Sequence, residues 1–455
     1  MHSPDQTIVA LSTPPGRGGI AVVRLSGPRA LECARTVIML RGTDQISPAT
    51  ALLGWIRDPR QAEAGAPLDR GYLVFHPAGH SYTGDDVAEL SCHASPVVVE
   101  QLLEALVHAG ARPAEPGEFT YRAVLSGRMD LAQAEAVRDL IEAPTAAAAR
   151  AAQGQLRGDL SRCVTSMRET LIEIISRLEA RLEFAEEPDL QERDLGVARP
   201  LRDLEAAVRG FVASYRQGRM LREGARVALA GRPNAGKSSL FNRLLRTERA
   251  IVSSEPGTTR DFISETIDLD GIAVRLTDTA GLREGARGIE AQGVERARKI
   301  SEQADLVLVL CPCDEEPDSQ DERLLGDHLD GAMLVASKAD LLDREPPAWS
   351  KAGILVSSET GAGIESLRGA IFTALAGAPG LTTEAVIVAD ARHHDALRSC
   401  SESLARGARA QQEGASEEIV LVELYSAMER LGEITGAVTV ADIHERIFST
   451  FCIGK

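Results

Sequence analysis

The sequence predicts an α+β domain, an all-α domain and a doubly wound α/β domain with a mostly parallel sheet, the last inserted into the helical one. The length of 455 residues corresponds to about three domains of ordinary size. After about residue 120 the composition shifts to Ala, Leu, Glu and Arg, and from about residue 222 apolar strands alternate with helices. Helical periodicity returns near residue 380. The predicted segments are 1–120, 121–220, 221–377 and 378–455.

The first segment mixes short β-type runs with two helices. Strands are predicted by "TIVAL", "GIAVVRLSG", "ALLGWIR", "GYLVFHP" and "DVAELSCH". Helices are predicted by "PRALECARTVIML" and by "PVVVEQLLEALVHAG", which ends at its glycine. In the second segment, apolar residues recur near a period of 3.6 in "RMDLAQAEAVRDLIEAPTAAAARAAQGQLRGDLSRC" and "ETLIEIISRLEARLEF". This pattern predicts long helices packed on each other.

The third segment contains short apolar runs typical of buried, parallel strands. They are "ARVALAG", "IAVRLTDTAG", "DLVLVL", "AMLVASKAD" and "GILVSS". Helical stretches separate most of them, which predicts the doubly wound sheet. The fourth segment is predicted to be helical in "HHDALRSCSESLARGARAQ", "EEIVLVELYSAMERLGEI" and "VADIHERIFSTF".

Charge and cysteine content limit the classes of partner. The net charge of −17 argues against a broad nucleic-acid coat and against a DNA partner, so RNA would be met by a local basic patch or through another protein. The seven cysteines are scattered without paired CxxC units, which argues against a zinc site. No apolar run approaches the ~20 residues of a membrane span. We expect a cytoplasmic protein without a membrane partner.

A phosphate-binding loop is predicted by "GRPNAGKSS" at 231–239, because it follows a strand and precedes the helical "LFNRLLR". Gly231 and Gly236 allow backbone N–H groups to curl around phosphate. Lys237 would reach the outer phosphates and Ser238 would ligate Mg²⁺. The loop residues predicted to bind nucleotide are Asn234, Ala235, Gly236, Lys237, Ser238 and Ser239.

Two further phosphate motifs follow in order. In "DTAG" (278–281), Asp278 would contact Mg²⁺ through water and the Gly281 amide would contact the γ-phosphate. Between the loop and this motif lies "PGTTRD" (256–261), where Thr259 could complete the Mg²⁺ shell. The predicted nucleotide-binding residues of these stretches are Ser253, Thr258, Thr259, Asp278, Thr279, Ala280 and Gly281.

The base would be recognised at the ends of two later strands. Asp340 of "SKAD" can accept hydrogen bonds from guanine N1–H and the exocyclic amine, a donor pair that adenine lacks, so GTP is the predicted nucleotide. "SSETG" (357–361) would offer backbone donors to the guanine carbonyl oxygen. The first of these motifs usually begins with Asn, where this chain has Ser337. The second usually reads Ser-Ala-Lys, where this chain has Ser-Ser-Glu at 357–359. The residues assigned to the base are Ser337, Lys338, Asp340, Ser357 and Ser358.

The residue after "DTAG" is Leu282, where many nucleotide hydrolases have a glutamine that orients water. Glu290 is close enough in sequence to reach the γ-phosphate or hold a water, although a solvated carboxylate on a helix face is the alternative. Asn234 could ligate a monovalent cation, and K⁺ beside the β- and γ-phosphates would supply positive charge. The alternative for Asn234 is a loop-capping side chain.

The whole chain closely resembles the tRNA modification GTPases known as MnmE or TrmE. The resemblance runs from "TIVALSTPPGRGGIAVVRLSG" to the terminal "CIGK" and includes "SYTGDDVAELSCH", "AEPGEFTYRAVLSGRMDLAQAEAVRDLI", "GRPNAGKSSLFNRLL", "IVSSEPGTTRD" and "DTAGLRE". It implies a cytoplasmic homodimer with a folate-binding-like N-terminal domain and a G domain inserted into a helical domain. It also implies an FAD-dependent partner, MnmG, in a heterotetramer, and tRNA as the substrate.

The implied activity is K⁺-stimulated GTP hydrolysis during C5 modification of the tRNA wobble uridine, with a (carboxymethyl)aminomethyl group. The one-carbon unit would come from 5-formyltetrahydrofolate or a related folate. By position, the resemblance assigns Mg²⁺ to Ser238 and Thr259, and catalysis to Glu290, which would position the attacking water. It assigns K⁺ to Asn234, Ser253, Glu255 and Thr258.

The resemblance assigns folate to Arg24, Glu89, Arg128 and Lys455. A carboxylate such as Glu89 can accept two hydrogen bonds from the pterin, and cationic side chains can pair with the glutamate tail. Two glycines of the family pattern are Ala94 and Ser95 here, which alters the backbone approach. The tail thiol Cys452 matches a cysteine linked to activity, with a buried structural thiol as the alternative. His93, His393 and His394 are predicted to be structural or surface residues.

Two other functions remain open on the sequence. One is a GTP-switched RNA-binding or ribosome-assembly scaffold without modifying activity, which the G domain alone does not separate from a modifying enzyme. The other is a folate-binding regulator whose G domain is a sensor. The folate-type motifs and "CIGK" favour the modifying enzyme, because a scaffold has no need of a one-carbon pocket.

Overall fold

The structure is a computed structural model. It describes residues 5–42, 45–60, 67–183, 195–247, 264–278, 303–326, 331–342, 345–377, 386–437, 451 and 454. The chain forms two compact units, residues 1–138 with 432–455, and residues 139–431. Within the described ranges, none of the helices has both the length and the apolarity needed to cross a bilayer. The four predicted segments 1–120, 121–220, 221–377 and 378–455 stay a prediction.

The first unit is built on a seven-stranded sheet with the order β3-β4-β5-β6-β2-β1-β7. Its strands are antiparallel except for the parallel pair β1 and β7. The strands are β1 Ile8–Leu11, β2 Gly18–Ser26, β3 Ile38–Leu40, β4 Leu52–Ile56, β5 Asp69–His76, β6 Val87–Ala94 and β7 Arg112–Pro113. The helices are α1 Ala30–Val37, α2 Pro96–His108, α3 Glu118–Leu125 and the first part of α4 Leu131–Glu142.

The predicted strands of this unit are confirmed, but one predicted helix was too long. The stretch "PRALECARTVIML" is helical only to Val37, and Ile38–Leu40 forms the edge strand β3. Ile38 pairs with Ile56 and is 4% exposed. The run Val-Ile-Met-Leu is apolar throughout, so its pattern fits a helix and a strand equally well, and tertiary pairing decides. The core lies between the sheet and the α1 and α2 helices.

The second unit contains long helices and a six-stranded sheet. The helices are the end of α4, α5 Ala146–Leu156, α6 Asp159–Glu183, α7 Ala198–Glu223, α8 Lys237–Thr247, α9 Ser319–Gly326, α10 Ile364–Ala376, α11 Ala391–Gln412 and α12 Glu417–Thr435. Two short 3₁₀ turns, Ala339–Leu341 and Ala348–Ala352, follow the later strands. Thr145 interrupts the predicted long helix because its hydroxyl caps α5 by accepting from the Ala148 N–H at 3.1 Å. The predicted helix at "VADIHERIFSTF" lies outside the described residues except for Phe451.

The sheet of the second unit has the order β13-β12-β11-β8-β10-β9. Its strands are β8 Ala225–Gly231, β9 Ser264–Leu269, β10 Ile272–Asp278, β11 Leu306–Pro312, β12 Ala332–Ser337 and β13 Ile354–Leu355. All pairs are parallel except β9 with β10, so the mostly parallel, doubly wound prediction is confirmed. The strand β9 was not predicted. It joins β10 through Asp270 and Gly271, both with positive φ, a hairpin turn that the sequence carries as "DG".

Gly224 alone separates the α7 helix from the β8 strand that leads into the predicted phosphate loop. Its φ is +75°, and a Cβ built on it would lie 2.4 Å from the Ala273 carbonyl oxygen. A side chain at this position therefore meets both a disfavoured backbone conformation and a backbone atom that cannot move aside easily. The glycine lets helix and strand meet without a loop.

We expect Gly224→Ala to lower the free energy of unfolding of the second unit by about 1–3 kcal/mol, measured by urea denaturation. The matched control is Gly210→Ala, which lies within α7 and has no heavy atom within 4 Å of a built Cβ. It should raise stability by about 0.5–1 kcal/mol because alanine is the better helix former. Equal stability of Gly224→Ala and the unaltered chain would contradict the conformational argument.

Candidate nucleotide site

The predicted phosphate loop connects β8 to α8 with three residues of positive φ. They are Gly231 (+143°), Asn234 (+63°) and Gly236 (+91°). A Cβ on Gly231 would lie 2.5 Å from the Leu310 carbonyl oxygen, so glycine is needed where the loop leaves the sheet. Asparagine is among the residues that tolerate the left-handed region, which accounts for Asn234 at the turn. The α8 helix then begins at Lys237, and its N-terminus faces the loop.

Lys237 closes the loop on itself. Its Nζ donates to the carbonyl oxygens of Gly231 at 2.9 Å and Arg232 at 2.6 Å, and the residue is 6% exposed. An ammonium group held at the start of the loop supplies positive charge where the outer phosphates of a nucleotide would bind. The structure therefore places Lys237 inside the phosphate loop, and its contact with the outer phosphates stays a prediction.

Ser238 and Asp278, the two described residues predicted to serve Mg²⁺, touch each other. The Ser238 Oγ donates to the Asp278 Oδ2 at 2.6 Å, and Asp278 is 2% exposed at the end of β10. A hydroxyl and a carboxylate oxygen are suitable ligands for Mg²⁺, which prefers oxygen and commonly keeps several waters. The donor set fits this ion, with Asp278 close enough to act through such a water.

The base side of the site is organised by hydroxyl groups. The Ser357 Oγ donates to the Asp340 Oδ1 at 2.5 Å and accepts from the Thr360 N–H at 3.1 Å. Lys338 has a φ of +59° and lies 3.5 Å from the Asp314 carboxylate. Ser357 was predicted to bind nucleotide. Its 1% exposed side chain also orients Asp340, the residue that would read guanine, while the backbone donors to the base stay a prediction.

One cavity of about 1040 Å³ joins the phosphate and base sides. It is lined by predicted residues from both, including Asn234, Lys237, Ser238, Ser337, Asp340 and Ser358. Four of the lining residues lie outside the predicted nucleotide motifs and were missed, Asn242, Arg243, Arg246 and Leu341. The three on α8 follow Ser239 at spacings of 3, 4 and 7, which is the spacing of one helix face. This spacing could have predicted that they lie on the same side of the helix as Ser239.

Several predicted site residues lie outside the described part of the chain. They are Ser253, Glu255, Thr258, Thr259, Thr279, Ala280, Gly281, Glu290, Cys452 and Lys455. Leu282, the departure from the usual glutamine, also lies there. The K⁺ and water-positioning assignments therefore stay predictions, apart from the backbone geometry of Asn234.

In the first unit, the sheet register brings two of the folate-assigned residues together. Arg24 on β2 is directly opposite Glu89 on β6, and the Arg24 Nε donates to the Glu89 Oε1 at 2.9 Å. The guanidinium also lies over the rings of Tyr82 and Phe119, with its central carbon 5.6 and 5.9 Å from the centroids. The pair is about one quarter exposed, so it combines charge, aromatic surface and access.

Arg128 is held by a separate contact. Its guanidinium donates to the Gly79 carbonyl oxygen at 3.0 Å. Two described residues near position 455 also belong to this unit. The Ser12 hydroxyl donates to the Gly454 carbonyl oxygen at 3.1 Å, and Phe451 packs with Leu131. Ala94 is one of the two residues that replace glycines of the family pattern. Its methyl group lies 3.6 Å from a Cβ built on Gly18, which is an ordinary van der Waals distance.

The three histidines have ordinary surroundings. His93 is exposed and hydrogen bonds to Asp69 at 2.8 Å, His393 is buried beside Arg392, and His394 stacks on Tyr215 with centroids 4.1 Å apart. Burial alone raises the pKa of Asp69, but hydrogen bonds from His93 and the Arg70 backbone outweigh it and hold that pKa below its usual value. These contacts agree with surface and structural roles.

Comparison with known proteins gives matches to both units. The family described as "MnmE helical domain" matches residues 131–452, and "GTP-binding protein TrmE N-terminus" matches residues 7–128. The tRNA modification GTPase MnmE of Moorella thermoacetica is 42% identical, covering 99% of this chain and 100% of the relative. This chain belongs to the MnmE/TrmE family of tRNA modification GTPases.

A second curated relative agrees with that membership. The tRNA modification GTPase MnmE of Methylobacterium radiotolerans is 43% identical and the match covers 99% of both chains. Among solved structures, the G domain of the T. maritima FeoB iron transporter is 28% identical, covering 33% of this chain and 98% of its own, with a TM-score of 0.25. The identification rests on the two family models and the curated relatives, and the solved structure is not used for it. The recognition, the fold class and the GTPase activity predicted from the sequence are thereby confirmed.

We expect Ser357→Ala to weaken GDP binding about tenfold, because Asp340 loses the hydrogen bond that orients it towards guanine. The measurement is displacement of a fluorescent GDP analogue from the full chain. The control is Ser350→Ala, which removes another buried hydroxyl of the same unit, bonded at 2.8 Å to the Pro347 carbonyl oxygen. Unchanged affinity in Ser357→Ala would refute the orienting role.

Proposed function

We propose that this protein is a K⁺-stimulated GTPase that works with an FAD-dependent partner in C5 modification of the tRNA wobble uridine. The added group is aminomethyl or carboxymethylaminomethyl, and its one-carbon unit comes from folate. The observation that carries the GTPase half is one cavity lined by the phosphate loop with Lys237, by Ser238, which donates to Asp278, and by an oriented Asp340. Membership of the tRNA modification GTPase family supports the other half.

The predicted residues have separate tasks at the nucleotide. Lys237 neutralises the outer phosphates, and the loop amides from Asn234 to Ser239 donate to phosphate oxygens. Ser238, together with Thr259 from outside the described residues, would hold Mg²⁺, and Asp278 is close enough to Ser238 to act through water. When bound, that ion neutralises charge that develops on the phosphates. Asp340 accepts from the Watson–Crick edge of guanine, and Ser357 keeps the carboxylate in place.

We assign K⁺ to Asn234, Ser253, Glu255 and Thr258. The position of Asn234 supports this assignment. Its backbone is left-handed, and its exposed side chain lines the cavity at the phosphate loop. When bound there, K⁺ supplies the positive charge that other GTPases take from an arginine. Glu290 orients the attacking water, which makes a glutamine at Leu282 unnecessary.

We assign folate to the first unit, at Arg24, Glu89, Arg128 and Lys455. The Arg24–Glu89 pair supports the assignment because a carboxylate and a guanidinium side by side on a partly exposed sheet face suit a pterin and an anionic tail. The protein acts in the cytoplasm as a homodimer, and forms a heterotetramer with the FAD-dependent subunit MnmG.

The direct test uses tRNA from cells that lack the gene, digested to nucleosides and quantified by mass spectrometry. We expect loss of the C5-modified uridine, with recovery by the unaltered gene and by Glu295→Ala but not by Glu290→Ala. Glu295 is the control because it is a second glutamate only five residues further on. An unchanged nucleoside profile in the deletion strain would contradict the modifying function and leave the GTP-switched scaffold, or the folate-binding regulator if folate still binds.

The K⁺ assignment predicts a cation-dependent rate. GTP hydrolysis should be at least about tenfold faster in KCl than in NaCl at equal ionic strength. Asn234→Gly, which keeps the left-handed backbone, should remove that difference. Asn242→Ala changes another asparagine of the same cavity and should retain it. Equal rates in both salts for the unaltered protein would count against K⁺.

A further inference from the structure

Ser337, which replaces the usual asparagine of the base motif, is tied to the phosphate loop. Its hydroxyl donates to the Ala235 carbonyl oxygen at 2.7 Å, and both residues are buried, with exposures of 2% and 0%. A serine hydroxyl has a single proton to donate. That proton is committed to Ala235, so Ser337 has no donor left for a bound base.

The position of Ser337 identifies the part of the base that it faces. A Cβ built on Gly236 of the phosphate loop would lie 3.9 Å from the Ser337 side chain, while Asp340 lies three residues further along. Asp340 reads the Watson–Crick edge of guanine, which is far from the ribose. The five-membered ring carries the ribose and, through it, the phosphates that the loop would bind. N7 belongs to this ring, so in a bound nucleotide it would lie on the side of the phosphate loop and Ser337.

N7 of guanine is a hydrogen-bond acceptor. An asparagine amide has two N–H donors, enough for both a loop carbonyl and N7, whereas serine has one. We propose that Ser337 determines specificity by holding the phosphate loop while offering N7 no donor. The site then recognises guanine through Asp340 and accepts guanine nucleotides altered at position 7. This inference rests on the proposed guanine-nucleotide function.

The test measures displacement of a fluorescent GDP analogue from the full chain in Mg²⁺ buffer by GDP, 7-deaza-GDP, IDP and ADP. In 7-deaza-GDP a C–H group replaces N7, and IDP lacks the exocyclic amine. We expect 7-deaza-GDP to bind within about threefold of GDP, and IDP about tenfold or more weakly, since only the second change touches the contact with Asp340. A larger loss for 7-deaza-GDP would overturn the inference. If ADP bound as tightly as GDP, the guanine site itself would fail, and this inference with it.

Two variants distinguish the hydrogen bond from Ser337 to the Ala235 carbonyl oxygen from a contact of residue 337 with N7 of the base. Ser337→Ala should weaken GDP and 7-deaza-GDP equally, by about tenfold, because the Ala235 carbonyl loses its donor. If it weakened GDP alone, the hydroxyl would be reading N7 and the inference would be wrong. Ser337→Asn should gain about a tenfold preference for GDP over 7-deaza-GDP. A folded Ser337→Asn protein, verified by thermal unfolding, without that preference would contradict the assignment of position 337 to the N7 side.

Discussion

The parallel register of the second sheet is the constraint on which the nucleotide site depends. Leu310 of β11 is opposite Gly231 of β8, Asp278 of β10 is opposite Leu229, and Ser337 of β12 is opposite Pro312. These pairings bring the carboxyl ends of the parallel strands β8, β10, β11 and β12 to the same end of the sheet. Binding sites of open α/β sheets lie at this end, because the loops that leave it converge there. A slip of one residue would turn each side chain to the opposite face.

Hydrogen bonds between the loops then fix what the register brings together. Lys237 binds two carbonyl oxygens of its own loop, Ser337 binds the Ala235 carbonyl, and Ser357 binds Asp340. Each involves a buried side chain, that of Lys237, Ser337 or Ser357, whose polar atom would be costly to leave unpaired. The polar atoms of the site are thus positioned before nucleotide arrives. Such preorganisation lowers the ordering cost of binding.

The sequence predicted the site better than its detailed geometry. The spacing of "GRPNAGKSS" and the order of the later motifs located Lys237, Ser238, Asp278 and Asp340, because these motifs follow strands whose burial pattern is clear. The tie between Ser337 and Ala235 joins residues 102 positions apart, which no local pattern reveals. The arginines of α8 were missed because an exposed helix face is usually only solvated. In the first unit, the β3 strand was missed because its apolar run has no distinguishing period.

The loops at the carboxyl ends of the parallel strands would bind guanine nucleotide, with Asp340 recognising the base. The most direct measurement is calorimetric titration of the full chain and of Asp340→Asn with GDP and with xanthosine diphosphate. The unaltered protein should prefer GDP by about 100-fold or more, and Asp340→Asn should reverse the preference, because an amide complements the oxygen that replaces the guanine amine. Unchanged preference for GDP in Asp340→Asn would contradict the account.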